Sequence, residues 1–196
     1  MAGLRERKKA HVRTAIQREA LRLFSEHGYD ATTVEQIADA AGVSAATFYR
    51  YFTSKEDSVV SDEYDPLFVQ SFMERPSDES LAEAVRAVMN DVIAPHIVRD
   101  RDLIVARFEL RRKTPSLQSA FFEDQERSME IFSALIARHV RRAIDDLDVR
   151  IACGALAGAL HEALGSWLGR GAKGGEDTLR GLLNYAVDRV EGALRF

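Results

Sequence analysis

Between Ala45 and Lys55 the chain carries the side-chain types that read a nucleic-acid duplex: small Ala45 and Ala46, hydroxyl-bearing Thr47, Tyr49 and Tyr51, a guanidinium at Arg50 and an ammonium at Lys55. Small side chains let a backbone approach a groove or touch a thymine methyl. Hydroxyls serve phosphates or base edges, and a guanidinium forks onto guanine. Phe48 and Phe52 lie four apart and share the opposite side of a helix, so their rings can hold it down while the polar set points outwards. The elements able to do this lie in TVEQIADAAGVSAATFYRYFTSK, residues 33–55. Thr33 predicts an N-cap, with Gln36 completing a capping box, and Ile37, Ala38 and Ala41 supply an apolar stripe. Gly42 supplies the turn and Ser44 the next N-cap. Thr33 and Ser44 join the candidate contact set. Lys55 follows Thr53 and Ser54, either of which can cap the next helix, so a helix N-terminus and an ammonium could face one phosphate. Glu56 and Asp57 read as first-turn acids that stabilise that helix. A glycine hinge between two short amphipathic helices also occurs in proteins that never touch DNA.

The full pattern narrows the choice. Gly42-Val43-Ser44-x-x-Thr47-Phe48-Tyr49-x-Tyr51-Phe52-x-x-Lys55-Glu56 resembles the signature of the tetracycline-repressor (TetR) family of transcription regulators. Ala20-Leu21-x-Leu23-Phe24-x-x-x-Gly28-Tyr29-x-x-Thr32-Thr33 is similar to that family's first helix and exit turn, so the resemblance covers roughly residues 10 to 60. It implies a three-helix DNA-binding domain, a connecting helix, and a helical core that dimerises and binds a small molecule.

Charge is divided in the same sense. Residues 1–56 hold nine Lys/Arg against seven Asp/Glu, a surplus of two, which leaves −6 for the remainder of a chain with formal net charge −4. Arg5, Arg7, Lys8, Lys9, Arg13, Arg18 and Arg22 outweigh Glu6 and Glu19. Such an arm can follow phosphates or enter a minor groove, or it can simply be a solvated terminus. The 196 residues, 46% hydrophobic and 30% charged, suffice for a small reader and a larger domain. The expected division is 1–56 and 57–196. There is no run of about 18 apolar residues, and the N-terminus is charged throughout instead of carrying an apolar signal core, so the expectation is a cytoplasmic protein without membrane insertion. The single cysteine, Cys153, excludes an intrachain disulfide and reads as a small buried hydrophobe.

Strand signals are scarce, so the fold is expected to be all-α with about nine helices. Helix four should run from about Lys55 towards Pro76, broken or kinked at Pro66. A fifth should start near Ser77 or Asp78 and end about Pro95. A sixth carries Leu103, Ile104, Phe108 and Leu110. Pro115 opens a long segment whose Leu117, Phe121, Phe122, Gln125, Met129, Phe132, Ile136 and Val140 recur at steps of three and four.

Such a stripe can be ordinary core. The family resemblance implies instead a ligand cavity on the same face, with Phe68, Phe72, Met89, Ile93, Phe108, Phe121, Phe122, Met129 and Phe132 as walls for a largely apolar effector. His96, Glu109, Arg112, Gln125 and His161 are candidate polar handles, with no spacing that demands a metal and no cofactor implied. Arg107, Arg111, Arg112 and Lys113 could receive an anion, brace the core or form a solvated face. Asp62-Glu63-Tyr64-Asp65-Pro66-Leu67 and Glu126-Arg127-x-Met129 resemble the family subset with an acyl-CoA-like ligand-binding C-terminal domain.

Gly154-Ala155-x-Ala157-Gly158-Ala159 permits close helix approach, and Leu160, Ala163, Leu164 and Trp167 follow on the same helix. After a connector at 169–175, Leu179, Leu182, Leu183, Ala186, Val187 and Val190 line the last helix. The resemblance implies that these two helices build a four-helix bundle across a two-fold axis, with Ala155, Ala159, Leu160, Ala163, Trp167, Leu179, Leu183, Ala186, Val187 and Val190 at the interface. Packing within one chain is the simpler alternative. A homodimer would present its readers to a palindromic double-stranded operator. The functional expectation is thus a ligand-controlled DNA-binding regulator, a repressor in the family's usual mode, with an effector-independent regulator or helical architectural protein as the alternative. No nucleophile elbow, phosphate-cradling loop or acid/base pair points to an enzyme.

Overall fold

Apolar spacing near 3.6 residues and a succession of side-chain caps divide the chain into helices. A computed structural model describes residues 2–61 and 64–195, with side chains for Lys9 and, from His11 onwards, throughout those ranges. No strand occurs among the described residues. The helices are α1 (Ala2–His27), α2 (Val34–Ala40), α3 (Ala45–Tyr51), α4 (Asp57–Val60), α5 (Tyr64–Met73), α6 (Leu81–Val88), α7 (Ala94–Arg99), α8 (Arg101–Lys113), α9 (Pro115–Val140), α10 (Leu147–Gly169) and α11 (Gly175–Val190). A π-helical turn, Met89–Ile93, joins α6 to α7, and a 3-10 turn follows α11.

Two expected helices are subdivided. Helix four is interrupted at Ser61, whose extended backbone (φ −68°, ψ 129°) closes α4. Pro66 causes no kink because it lies in the first turn of α5, where no intrahelical N–H is required. The fifth helix starts at a Ser80/Glu83 capping box and continues through Pro95. Proline cannot donate to residue 91, and the π turn before it shifts the register, with the Ala94 N–H bonding to the Met89 carbonyl.

The chain forms two compact units, residues 1–62 with 106–124, and 63–105 with 125–196. In the first, Ile16, Ala20, Leu23, Phe24, Ile37, Phe48, Phe52 and Val59 are buried. Full burial of each large side chain contributes about 1.5–3 kcal/mol. Arg107 on α8 donates to the carbonyls of Val59, Val60 and Ser61 at 2.5, 3.1 and 2.8 Å, satisfying the end of α4. Gln17 also donates to the Ser61 carbonyl and Arg13 to its hydroxyl.

The core of the second unit includes Val85, Val88, Ile97, Val149, Leu156, Trp167, Leu179, Leu183 and Val187. The α10–α11 connector turns through Gly174 (φ 89°), where a Cβ would meet Thr178 Oγ1 at 2.1 Å, so glycine is obligatory. Trp167 Nε1 donates to the Lys173 carbonyl at 3.1 Å and fastens this connector. By length and composition alone α10 is long and apolar enough to cross a membrane, a criterion that a core helix also meets. Its apolar positions are interspersed with Arg150, Glu162 and small residues, so no uninterrupted run marks it, and part of it forms this core.

Candidate nucleic-acid interface

Local chemistry builds the reader almost unaided. The Thr33 hydroxyl accepts the Gln36 N–H at 3.2 Å and the Gln36 side chain returns to the Thr33 N–H at 2.9 Å, the expected reciprocal box. After α2, Gly42 adopts φ 67°, and the Val43 N–H reaches the Ala38 carbonyl at 2.9 Å. Ser44 then caps α3 through the Thr47 N–H at 3.1 Å and pairs with the Thr47 hydroxyl at 3.0 Å.

The two faces of α3 separate as the spacing requires. Phe48 and Phe52 are 0% and 1% exposed, whereas Tyr49 is 54% exposed. Ala46 and Arg50 are exposed as well, and Ala45, Thr47 and Tyr51 are half-buried. Arg50 lies 5.4 Å from the Tyr51 ring, a cation–π contact that biases the guanidinium without desolvating it. Thr33 and Ser44 are exposed at the helix starts. The face therefore offers small side chains, hydroxyls and one cation, the set for groove and phosphate contacts.

Ser54 Oγ accepts the Asp57 N–H at 3.1 Å, and the Asp57 carboxylate accepts from the Thr53 N–H at 2.7 Å, so both expected capping residues are engaged. The Lys55 ammonium donates to the carbonyls of Tyr29 and Thr32. The Tyr29 hydroxyl donates to Glu56. Burial, with that acid alongside, raises the phenol above its ordinary pKa. Burial opposes ionisation of Glu56, but hydrogen bonds led by that from Tyr29 hold its carboxyl below the usual range. Sequence spacing offered no sign of these ties, because their partners are 23 to 27 residues apart. Lys9 is exposed, while the side chains of Arg5, Arg7 and Lys8 lie outside the described residues.

The expected effector walls fall into both units. In the second, Phe68 stacks on Phe72 at 5.5 Å and meets Phe132 edge-on at 5.1 Å. Ile93 is buried, while Met89, Gln125, Met129 and His161 are half-buried. Met129 lies against buried Cys153, with 3.8 Å between sulfurs. In the first unit, Arg111 lies 3.7 Å from the Phe121 ring centroid and 5.5 Å from that of Phe108. Phe122 is 64% exposed, and Arg112 is exposed. A groove of about 450 Å³ in the second unit contains none of these residues; Glu79, His139, Arg141, Glu191 and Arg195 help to line it.

On the last helices, Ala163, Trp167, Leu179, Leu183, Ala186 and Val187 are buried within the protomer, whereas Ala155, Ala159, Leu160 and Val190 are half-buried. The open side of α10 carries Leu147 (68% exposed), Ile151 (49%), Gly154 and Gly158, and that of α11 carries Tyr185 (61%). The steps of four, three and four from Leu147 to Gly158 mark one helix face, a signal present in the sequence but obscured by the neighbouring alanines.

With this geometry in place, similarity to known proteins becomes specific. Residues 16–57 match the family described as bacterial regulatory proteins, tetR family, and residues 79–195 match the MftR C-terminal domain. The chain is 33% identical over 153 residues to the HTH-type transcriptional regulator TcmR of Streptomyces glaucescens, covering 74% of this chain and 67% of that protein. It is 28% identical over 157 residues to the fatty acid metabolism regulator protein of Bacillus subtilis, covering 76% and 79%. The crystal structure of the Bacillus subtilis transcriptional regulator FadR in complex with stearoyl-CoA is similar at TM-score 0.57 and 25% identity, covering 93% of this chain and 99% of that one.

Proposed function

The chain belongs to the tetR family of bacterial regulatory proteins, and from that premise we propose that it is a cytoplasmic repressor, bound as a homodimer to a palindromic operator and released by a largely apolar, acyl-type small molecule. It is a DNA-binding transcriptional regulator and not an enzyme. The observation that carries the reading is the two-faced α3, with both phenylalanines buried and Ala46, Tyr49 and Arg50 outward. In this reading residues 1–56 are the reader and 57–196 the effector-binding and dimerisation region. Arg50 reads a base; Thr33, Ser44, Thr47, Tyr49 and Tyr51 serve the backbone, and Ala45 and Ala46 allow close approach.

The second copy docks on the face of Leu147, Ile151, Gly154, Gly158 and Tyr185. An added Cβ at Gly154 or Gly158 meets nothing within 4 Å in the protomer, so packing within one chain does not demand glycine there. Close approach of another helix does. A two-fold axis then sets the half-sites about 34–36 Å apart, or a multiple of one DNA turn.

The Phe68, Phe72 and Phe132 cluster supports an apolar effector, as does the stearoyl-CoA complex of the Bacillus regulator. Within the first unit, Arg107 ties α8 to the end of α4, so displacement of α8 would load the reader. An effector acts only to the extent that it prefers one conformation. The alternative reading is an effector-independent regulator.

Selection of bound sequences from a random duplex pool, followed by titration with stearoyl-CoA and shorter acyl-CoAs, tests both. An inverted repeat released by acyl-CoA is expected. A repeat indifferent to every acyl-CoA favours the second reading, and no enrichment overturns operator recognition.

A further inference from the structure

Arg13 belongs to the basic stretch of α1, yet its guanidinium reaches the far end of α3. One terminal nitrogen donates to the Ser61 hydroxyl at 2.7 Å, the other lies 3.5 Å from the Tyr51 carbonyl, and the guanidinium carbon stands 4.6 Å from the centroid of the Phe52 ring. Tyr51 is the last residue of α3 and Phe52 its C-cap. The final carbonyls of a helix have no partner within it, so a cation placed there serves one of them and favours the negative end of the helix dipole. Phe52 is 1% exposed, so the ring beside the guanidinium is itself fixed. Ser61 is held as firmly. Its carbonyl accepts from Gln17 at 2.9 Å and from Arg107 at 2.8 Å, and Arg107 donates as well to the carbonyls of Val59 and Val60. Gln17, one turn further along α1 than Arg13, is 2% exposed. Side chains of α1 and α8 thus engage both polar groups of Ser61, and Ser61 orients Arg13 against α3.

We propose that Arg13, oriented by Ser61, is a positioning residue for base recognition: it pins the C-terminal end of α3 and with it the angle at which Arg50 meets a groove. This role rests on the reading of α3 as the base-reading helix, and on no effector. Arg50 precedes Tyr51 directly, and the seven residues of α3 span only about 10 Å, so a shift at its last turn tilts the whole helix. Ser44 caps the start of α3, whereas its C-cap bonds only through its own backbone, to the Phe48 carbonyl. A forked contact between guanidinium and guanine needs its donors placed within about 0.5 Å and 10–20°. Phosphate contacts carry no such sequence information, so a tilted α3 loses discrimination before it loses affinity.

The test measures binding to the duplex recovered by sequence selection and to its single-base-pair variants, at one salt concentration. At the base pair whose preference Arg50→Ala abolishes, Arg13→Met should lower discrimination roughly ten-fold and Ser61→Ala roughly three-fold, with the other positions changed less than about two-fold. Neither substitution should lower it further once Arg50→Ala is present, and Ser61→Ala should add nothing to Arg13→Met, because the residues act as one chain of contacts. A merely structural role would instead weaken binding alike at every base pair, and that result overturns the proposal. Should Arg13→Met not fold, Ser61→Ala decides, since it leaves Arg13 in place and removes only its hydroxyl partner. A preference at the Arg50 position that survives Ser61→Ala unchanged overturns the positioning role alone. Absence of any base preference traceable to Arg50 overturns the reading of α3 on which that role rests.

Discussion

The recognition helix α3 and the core helix α10 both turn small and large apolar side chains outwards, yet they suit different partners. On α3, exposed Ala46 and Tyr49 share the surface with Arg50, and half-buried Thr47 and Tyr51 add hydroxyls. On α10, Leu147, Ile151, Gly154 and Gly158 form a face without hydrogen-bonding side chains. A phosphate backbone rewards charge and donors, whereas a second protein surface rewards apolar area and close backbone approach. The supports differ as well. Side-chain caps three residues apart define α2 and α3, while α10 depends on burying Trp167, Leu156 and Val149 within its own unit.

Breaking the buried side of α3 should have the largest effect. Phe48→Ala removes a fully buried ring and should cost about 3–5 kcal/mol, seen in chemical denaturation as early loss of the first unit. On α10 the opposite side is sensitive. Ile151→Glu should leave protomer helicity unchanged yet cost the dimer about 3–5 kcal/mol by burying an unpaired charge, measured by sedimentation equilibrium. A dimer indifferent to this change would remove that face from the interface.

Arg50→Ala should cost about 1–3 kcal/mol on the selected operator and relax one base position, while an equal loss on all sequences would assign Arg50 to phosphate. Ser44→Ala should lower reader stability by about 1 kcal/mol, since only the cap of one short helix is lost. The smallest expected effect is that of pH on the Tyr29–Glu56 pair. The lowered Glu56 pKa gives stability present above its ordinary value of 4.5 and lost as pH falls through the folded value. The raised Tyr29 pKa gives stability present below 10.0 and lost as pH rises through its folded value. Tyr29→Phe should flatten both limbs of the melting-temperature profile.

The reader was legible because its determinants are close in sequence. Thr33 with Gln36, Gly42, Ser44, and the Phe48/Phe52 pair each act within three or four residues. The long periodicity of α9 was equally readable, since a helix repeats its own face. Subdivision of the fourth and fifth helices was less so: the π turn that carries the chain into Pro95 has no composition of its own, and Ser61 receives bonds from Arg13, Gln17 and Arg107, residues 44 to 48 positions away. For the last helices, Gly154-x-x-x-Gly158 announced close packing but not its direction.

Sequence by itself determined the all-helical class, the capped helix-turn-helix and the chemistry its outer face offers, because hydrogen bonds to neighbouring backbone and 3.6-residue periodicity are local properties. Tertiary structure alone decided that Lys55 turns towards Tyr29 and Thr32, that Trp167, Leu183 and Val187 are spent within the protomer, and that Leu147, Ile151 and Tyr185 stay open. A side chain's partner across a fold depends on which surfaces meet, and no spacing along the chain specifies that.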